Sequence, residues 1–521
     1  MKRLCLIVTL LIIIGTVPGL AAMHGTVQVS GGLIQGVSGQ DTTITVFKGV
    51  PYAAAPVGEL RWKAPQPVRP WKGVRVADHF GDICMQNSQV PGSFYQVEFY
   101  QTIQPMSEDC LYLSLWTAAS SANEKRPVMV WIHGGGFVEG SGSLPSFNGE
   151  ALARKGVVII TINYRLGVFG FLAHPELTAE SGYGASGNYG MLDQLAVLRW
   201  VKENIRNFGG DPDNVTIFGQ SAGAGSVLNL CASPLAKGYF RHAIVQSGGF
   251  FTTADLKSAE ALGVEFASEA GARSISKLRK LPAAEIQRLG VPLPKGPSVP
   301  RKYRFQPIVD GYFLTRNPSD IFAAGEQNTH SIMTGSTSNE GTSVMEVHSA
   351  AAFRAQIEMH YGAQAAELFK LYPVETDQEA WNAAGNVLRD YMADTSLKIA
   401  RYQAKVRGET FVYYFDRHPP GRDSDHYGAY HSSELVYVFN ELSAVNRPWT
   451  ETDRKLADIM SSYWVNFART GDPNGAELPL WPAYGTTSSR GLVLGDTIKP
   501  ETFPPTERLD QLERDGLGFM P

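Results

Sequence analysis

The chain has 521 residues, 43% of them apolar, which is enough to bury a large hydrophobic core. Its 46 basic and 50 acidic residues give a net charge of −4, which excludes nucleic-acid binding through bulk positive charge and the composition of disordered proteins. Four cysteines are too few for a disulfide scaffold or a clustered zinc site, and no cofactor motif occurs, so we expect neither metal nor cofactor.

The chain begins with the features of a secretory signal peptide, which we assign to residues 1–22. Residues 2–3 (Lys-Arg) are basic, residues 4–17 are almost wholly apolar, and residues 18–22 (Pro-Gly-Leu-Ala-Ala) supply small residues suited to cleavage. No later stretch reaches the ~18 consecutive apolar residues of a membrane span. We therefore expect a secreted or periplasmic protein with no membrane span after cleavage and one domain over residues 23–521. An uncleaved N-terminal anchor is the alternative.

Four short apolar runs without polar alternation predict strands buried on both faces. The runs are residues 128–132, 157–162, 215–218 and 243–245. Between the second and third runs, residues 191–205 place apolar side chains every three or four positions, as an amphipathic helix does. Past residue 262 the pattern is mostly helical. This order predicts an α/β fold, with a mostly parallel central sheet flanked by helices and large helical insertions.

Residues 219–223 (Gly-Gln-Ser-Ala-Gly) are the only G-x-S-x-G sequence in the chain. They follow the third predicted strand and precede residues 224–231, a candidate helix, which is the context of a nucleophile elbow. Such a turn lifts the Ser221 hydroxyl clear of the sheet, at a helix N-terminus that favours developing negative charge. We predict that Ser221 is a nucleophile; the alternative is a tight turn in which it only caps the helix.

Residues 133–136 (His-Gly-Gly-Gly) follow the first predicted strand. Three glycines leave backbone N–H groups exposed and let a substrate oxygen approach closely, as in the oxyanion hole of esterases. The other donor of such a hole is the N–H after the nucleophile, here that of Ala222. We expect His133 to orient this loop rather than to act as the base. A merely flexible glycine loop is the alternative.

The base that activates a serine is a histidine, and in this kind of fold it follows the serine and the acid along the chain. Five histidines satisfy that order: His348, His360, His418, His426 and His431. His431 is the best placed of them, because small residues surround it in a loop before the apolar run 435–439.

The best-placed acid is Glu340, which follows the short strand-like run 332–334. Asp310 is a rival, although it fits equally well as a turn aspartate, and Asp416 is a third candidate. A carboxylate in this role orients the imidazole and stabilises its charged form.

Several further segments, taken together with these motifs, match the sequence pattern of a known family. Residues 208–212 (Phe-Gly-Gly-Asp-Pro) lead into the serine motif, and residues 108–113 read Glu-Asp-Cys-Leu-Tyr-Leu. Additional matching segments are 47–53, 163–165, 471–474 and 481–482. Together they resemble the type-B carboxylesterases, which include liver carboxylesterases, cholinesterases, bile-salt-stimulated lipase and bacterial para-nitrobenzyl esterases. The resemblance spans about residues 25–490 and implies the α/β-hydrolase fold.

The resemblance implies that Ser221, Glu340 and His431 form a catalytic triad and that Cys84 and Cys110 form the family's first disulfide. Ser221 would attack an ester carbonyl while His431 takes its proton, and water would then release the acid from the acyl-enzyme. The implied partner is a small-molecule ester, and no metal or organic cofactor is required.

The resemblance also implies that Gly135, Gly136 and Ala222 donate to the oxyanion. Ser247 would support the triad from beneath, with Glu434 nearby. The chain departs from the family pattern at two positions. Asn339 stands before the acid where the family usually has aspartate, and Ser114 follows the second signature where asparagine is frequent.

The resemblance leaves the substrate open within esters, and short- to medium-chain or aryl esters are expected. The segment between Cys84 and Cys110 is rich in aromatic residues, but it lacks the tryptophan with which cholinesterases hold a quaternary ammonium, so a broad carboxylesterase is favoured. A lipase, amidase or carbamate hydrolase with the same triad is an alternative, as is a non-catalytic adhesion protein, which the complete triad disfavours. We expect an exported bacterial member, and the oligomeric state stays open.

Overall fold

A computed structural model describes residues 25–101, 104–252, 254–290, 303–341, 343, 349–406, 410–485 and 489–502. The signal-peptide assignment to residues 1–22 lies outside the described residues, so this assignment and the single domain from residue 23 stay predictions. Within the described ranges, no helix is long and apolar enough to cross a membrane.

One large sheet dominates the described part of the chain. The strands are β1 (Thr26–Val29), β2 (Gly32–Gln35), β3 (Val37–Ser38), β4 (Thr45–Pro51), β5 (Val74–Val76), β6 (Ile83–Cys84), β7 (Met106–Ser107), β8 (Tyr112–Thr117), β9 (Arg126–Ile132), β10 (Val158–Ile162), β11 (Gly210–Gln220), β12 (His242–Gln246), β13 (Ser331–Thr337), β14 (Thr410–Phe415), β15 (Arg490–Leu494) and β16 (Ile498–Thr502). Eleven of them pair in the order β16-β15-β14-β13-β12-β11-β9-β10-β8-β4-β3. The six contiguous pairings from β15 to β10 are parallel, so the sheet is mostly parallel as expected.

The four apolar runs are the strands β9, β10, β11 and β12, which confirms their prediction. Every residue of β10 and of β12 is buried, because helices cover both faces of the sheet. In β9 the side chains alternate between two core clusters. Val128 and Val130 belong to one cluster, while Met129 and Trp131 belong to the other. The strand β9 is therefore apolar at consecutive positions because both of its faces are buried.

Helices connect and cover these strands. They are α1 (Phe94–Glu98), α2 (Glu150–Arg154), α3 (Gly167–Phe171), α4 (Pro175–Glu180), α5 (Tyr189–Asn204), α6 (Ala222–Ala232), α7 (Leu256–Glu269), α8 (Ile275–Leu278), α9 (Ala283–Gly290), α10 (Pro318–Ala323), α11 (Ala350–Tyr361), α12 (Ala365–Leu371), α13 (Asp377–Gln403), α14 (Ser424–Tyr427), α15 (Leu435–Val438) and α16 (Glu451–Thr470). The predicted helix over 191–205 is α5, and the helix expected after the serine motif is α6.

The helical insertions lie between the later strands. The helices α7 to α10 separate β12 from β13, and α11 to α13 separate β13 from β14. The longest, α13, begins with a capping box in which Thr376 and Glu379 satisfy each other's backbone N–H groups. The sheet continues past each insertion in parallel register, so the loops at the carboxyl ends of β9, β11, β13 and β14 gather at one edge.

Candidate active site

The loop between β11 and α6 is a sharp turn centred on Ser221. Its backbone has φ 57° and ψ −125°, a strained conformation for a residue with a side chain. The Ser221 N–H donates to the carbonyl of Gln246 at 2.9 Å, which fixes the turn against β12. A Cβ at Gly223 would lie 2.1 Å from the Ile132 carbonyl oxygen, so only glycine fits there. The turn has the strained geometry of a nucleophile elbow.

The glycine loop after β9 lies against this turn. A Cβ at Gly134 would be 3.1 Å from the Cβ of Ser221, so a side chain there would crowd the serine. The N–H groups of Gly135 and Gly136 make no hydrogen bond to another described residue. Ala222 is the first residue of α6, where an N–H has no partner within the helix. The three predicted oxyanion donors are therefore free to bind an oxygen beside Ser221.

His133 holds the glycine loop in place. Its Nδ1 hydrogen-bonds the Gly134 carbonyl at 2.8 Å, and its ring stacks on Tyr164 with the centroids 4.5 Å apart. Burial lowers the pKa of His133 to about 4, so the ring is neutral at ordinary pH. This geometry fits the expectation that His133 orients the loop rather than acting as a base.

His431 and Glu340 form a buried pair. The Nδ1 of His431 is hydrogen-bonded to Oε2 of Glu340, whose side chain is fully buried and also accepts the Thr337 N–H at 2.7 Å. Burial on its own lowers the pKa of His431, but the Glu340 carboxylate more than offsets this and leaves the pKa above its ordinary value. The pair therefore stabilises the imidazolium that forms when a base accepts a proton.

The amide of Gln220 lies against the imidazole of His431. Its Nε2 is 3.0 Å from Nε2 and 3.4 Å from Nδ1 of the ring, and an atom this near to both nitrogens lies over the ring face rather than in line with the Nε2 lone pair. Because Nδ1 carries its proton toward Glu340, that lone pair is the one that can accept a proton. Ser221 and His431 line the same cavity, but no hydrogen bond joins them in this substrate-free structure. Looser catalytic hydrogen bonds are common without substrate. Sequence analysis missed Gln220, although it lies inside the serine motif.

We expect Gln220→Glu to move the acidic limb of the kcat/KM profile to higher pH. A carboxylate 3 Å from the imidazole favours its charged form, so the pKa of His431 rises further and the neutral base is lost at higher pH. The shift should be on the order of one pH unit. Gln220→Met is the control, since it removes the amide without adding charge. An unmoved limb in Gln220→Glu would contradict the assignment of His431 as the base.

The buried groups beneath the His431–Glu340 pair are only partly the two expected from the sequence, Ser247 and Glu434. Glu434 is fully buried, and burial together with the nearby Glu340 charge raises its pKa to about 7. The residue bonded to it is Gln246, whose amide donates to Oε1 of Glu434 at 3.1 Å. Ser247 is buried at the end of β12, and its hydroxyl has no hydrogen-bond partner among the described residues. A supporting role for Ser247 therefore stays a prediction, while Gln246 was not anticipated.

Asn339 fastens the acid loop to the histidine loop. Its backbone N–H donates to the Ala429 carbonyl at 3.0 Å, and its side-chain amide donates to the Tyr427 carbonyl at 2.8 Å. A carboxylate could not make the second bond, because it has no hydrogen to donate. The departure from the family pattern at this position thus adds a contact that aspartate would lack.

The structure gives the rival residues other environments. Asp310 accepts the backbone N–H groups of residues 312–314, as a turn aspartate does, and Asp416 is exposed at the end of β14. His426 stacks on Trp381 with centroids 4.7 Å apart, and His418 is exposed. His348 lies outside the described residues, and so does the side chain of His360. None of the four described rivals lines the cavity at Ser221.

A cavity of about 410 Å³ opens over Ser221 and His431. Its apolar walls come from Tyr95, Phe99, Tyr100, Val138, Leu144, Phe147 and Leu435. The first three belong to the segment between Cys84 and Cys110, which are joined by a disulfide. Phe250 and Phe251, an aromatic pair that follows β12, are not among the lining residues and pack against Phe322 and Tyr391. The aromatic disulfide segment, rather than this Phe-Phe pair, therefore shapes the cavity.

The third cysteine of the described ranges lies apart from the disulfide. Cys231 is free and buried in α6, where burial raises the pKa of its thiol. In the described ranges, no group of three or more His, Cys, Asp or Glu residues is arranged to hold a metal ion. The arrangement around Ser221 has the parts that acyl transfer needs: a hydroxyl, a base with its acid, and free N–H groups.

Comparison with known proteins gives matches along almost the whole chain. The model of the carboxylesterase family matches residues 24–510. Fumonisin B1 esterase of Sphingopyxis macrogoltabida is 37% identical over 471 residues, covering 87% of this chain and 83% of that protein. Para-nitrobenzyl esterase of Bacillus subtilis (strain 168) is 34% identical over 507 residues, covering 94% and 98%. A solved PNB esterase superposes with a TM-score of 0.80 at 33% identity, covering 94% of this chain and 100% of that one. These matches confirm the α/β-hydrolase fold.

Proposed function

Because the chain belongs to the carboxylesterase family and is a serine carboxylic-ester hydrolase, we propose that Ser221, Glu340 and His431 are its catalytic triad. The observation that carries this proposal is the buried hydrogen bond between His431 and Glu340, which opens on the same cavity as Ser221 in its strained turn between β11 and α6. All the rival acids and histidines that the structure describes lie in other environments.

The reaction follows from this geometry. Nε2 of His431 accepts the Ser221 proton as the hydroxyl oxygen attacks the ester carbonyl. The N–H groups of Gly135, Gly136 and Ala222 stabilise the oxyanion, and Glu340 stabilises the imidazolium. The imidazolium then protonates the departing alcohol. Water, deprotonated by the same nitrogen, releases the acid from the acyl-enzyme.

We propose short- to medium-chain or aryl esters as the substrates. The cavity of about 410 Å³ lies in the lower part of the range of small-molecule sites, and its walls combine aromatic and aliphatic side chains with polar groups that include the carboxylate-bearing Glu139. Tyr95, Phe99 and Tyr100 offer flat apolar contact to an aryl or short acyl group. No lysine or arginine is among the lining residues, so the described walls offer no cation to a carboxylate-bearing ester.

A panel of para-nitrophenyl esters from acetate to palmitate tests the substrate class. We expect kcat/KM to be highest for short and medium acyl chains and to fall steeply at long ones. A profile that peaks at palmitate would indicate a lipase instead. Matched anilides and carbamates should react much more slowly, and fumonisin B1 belongs in the panel because the 37% identical relative carries its name. A folded protein without activity on any ester would contradict the proposal.

We also propose that the protein is exported and loses residues 1–22. The basic start, the apolar stretch and the small residues before residue 23 support this proposal. The disulfide between Cys84 and Cys110 supports it as well, because such bonds persist in oxidising compartments. Intact-mass measurement on protein from the periplasm or medium of an expressing bacterium should give a chain that begins near residue 23. A full-length chain retained in the cytoplasm would contradict export.

A further inference from the structure

The short helix α1, inside the segment closed by the disulfide, packs on the loop that carries His431. The Phe94 ring lies 4.0 Å from the Tyr427 ring and 4.8 Å from the Tyr430 ring, centroid to centroid. The hydroxyl of Tyr95 donates to the backbone carbonyl of His431 at 3.2 Å. One face of α1 therefore contacts the backbone from which the imidazole projects.

Glu98, at the end of α1, makes the strongest of these contacts. Its carboxylate accepts two hydrogen bonds from the Arg447 guanidinium, at 2.8 and 3.0 Å, and a third from the Tyr430 hydroxyl at 2.9 Å. The side chains of Arg447 and Glu98 are only 4% and 8% exposed. Charge-assisted bidentate bonds of this kind are strong, and they also restrict the orientation of the two side chains. The Glu98 carboxylate, held by Arg447, in turn binds the hydroxyl of Tyr430, the residue directly before His431.

We propose that Glu98 is a positioning residue for His431, a role that rests on the proposed triad. The imidazole has to keep its bond to Glu340 while Nε2 comes within hydrogen-bond reach of the Ser221 hydroxyl. That approach requires a fixed backbone at His431, because a catalytic group displaced by ~1 Å can cost about 10²-fold in rate. Glu98 supplies that fixation through Tyr430 and Arg447.

The alternative is that the ion pair only stabilises the fold, and two variants separate the roles. Glu98→Met/Arg447→Met replaces a buried pair by apolar side chains and leaves no unpaired charge, so the protein should fold. It also removes the bonds of Arg447 to the carbonyls of Pro419, Pro420 and Arg422, so its Tm should fall moderately. Tyr430→Phe keeps the ring and removes the phenol's bond to Glu98. The matched control is Tyr437→Phe, since the Tyr437 hydroxyl donates at 2.8 Å to Asp453, which pairs with Arg417 in the same way.

We expect kcat to fall about tenfold or more in the double variant and severalfold in Tyr430→Phe, within the ~10²-fold cost of misplacing a catalytic group. KM for a short ester should change little. The acidic limb of kcat/KM should move to lower pH in both, because a displaced His431 bonds less well to Glu340 and its pKa falls. Tyr437→Phe should match the wild type in both measurements.

A double variant with wild-type kcat and an unmoved acidic limb overturns the positioning role and leaves the triad standing. If the double variant does not fold, Tyr430→Phe against Tyr437→Phe decides the question by the same two measurements. An equal loss in both tyrosine variants also overturns the role, because it would follow from lost stability alone. An active Ser221→Ala protein would instead overturn the triad, and the Glu98 role with it.

Discussion

Replacing Ser221 by alanine should lower kcat for a para-nitrophenyl ester by about 10⁴- to 10⁶-fold, the largest loss expected of any single change in this chain. Ser221 stands in a strained turn against the glycine loop, and it lines the same cavity as His431 of the buried His431–Glu340 pair. The residual rate should still exceed that in water, because the free N–H groups remain and continue to bind an oxyanion.

Two measurements make this result specific to the nucleophile. An organophosphate reagent should transfer one phosphoryl group to the wild-type protein with loss of the reagent's leaving group, on the peptide that contains Ser221, and should leave the alanine variant unmodified. Ser226→Ala is the matched control, since that serine lies in α6 with its hydroxyl bonded to Gln194 and away from the cavity. Retained activity in Ser221→Ala, or labelling elsewhere, would exclude the triad.

The sheet and the elbow could be predicted because their signals are local. The runs that form β9 to β12 are short and continuously apolar, and this pattern alone is enough to indicate a strand buried on both faces. The elbow was recognisable because a strand, two glycines around Ser221 and a helix follow one another directly. Both features are set by neighbours along the chain, which a single sequence displays.

The partners of Ser221 are set by contacts between distant segments, and the residues alone left them open. Glu340 and His431 are 91 residues apart, and nothing in their local sequence shows that β13 and β14 place them together. The residues ranked His431 and Glu340 first among several candidates, and the resemblance to a family then selected them. Gln220, Gln246 and Asn339 escaped prediction of their roles because each acts through a side-chain amide, and amides carry no distinctive sequence pattern.

The largest effect on stability is expected from Asp193→Asn, which should lower the free energy of unfolding by about 3–5 kcal/mol. Asp193 in α5 accepts hydrogen bonds from Nε and Nη2 of Arg165, at 2.8 and 2.7 Å, and a third from the backbone N–H of Arg165 at 3.1 Å. The side chains are 3% exposed for the arginine and fully buried for the aspartate, so asparagine would leave a buried guanidinium without its counter-charge. The loss should appear as a lower denaturant midpoint and a lower apparent Tm.

The double variant Arg165→Met/Asp193→Leu separates two contributions to the free energy of unfolding: the destabilisation by an unpaired buried charge and the stabilisation by the ion pair itself. If an uncompensated charge dominates, removing both partners should restore most of the lost stability, since apolar side chains of similar volume often replace a buried ion pair at little cost. The exposed pair Lys202–Asp213 is the matched control, and Asp213→Asn should change the free energy of unfolding by less than about 1 kcal/mol. Equal losses in Asp193→Asn and Asp213→Asn would contradict this account, because burial of the charge is what makes the two positions differ.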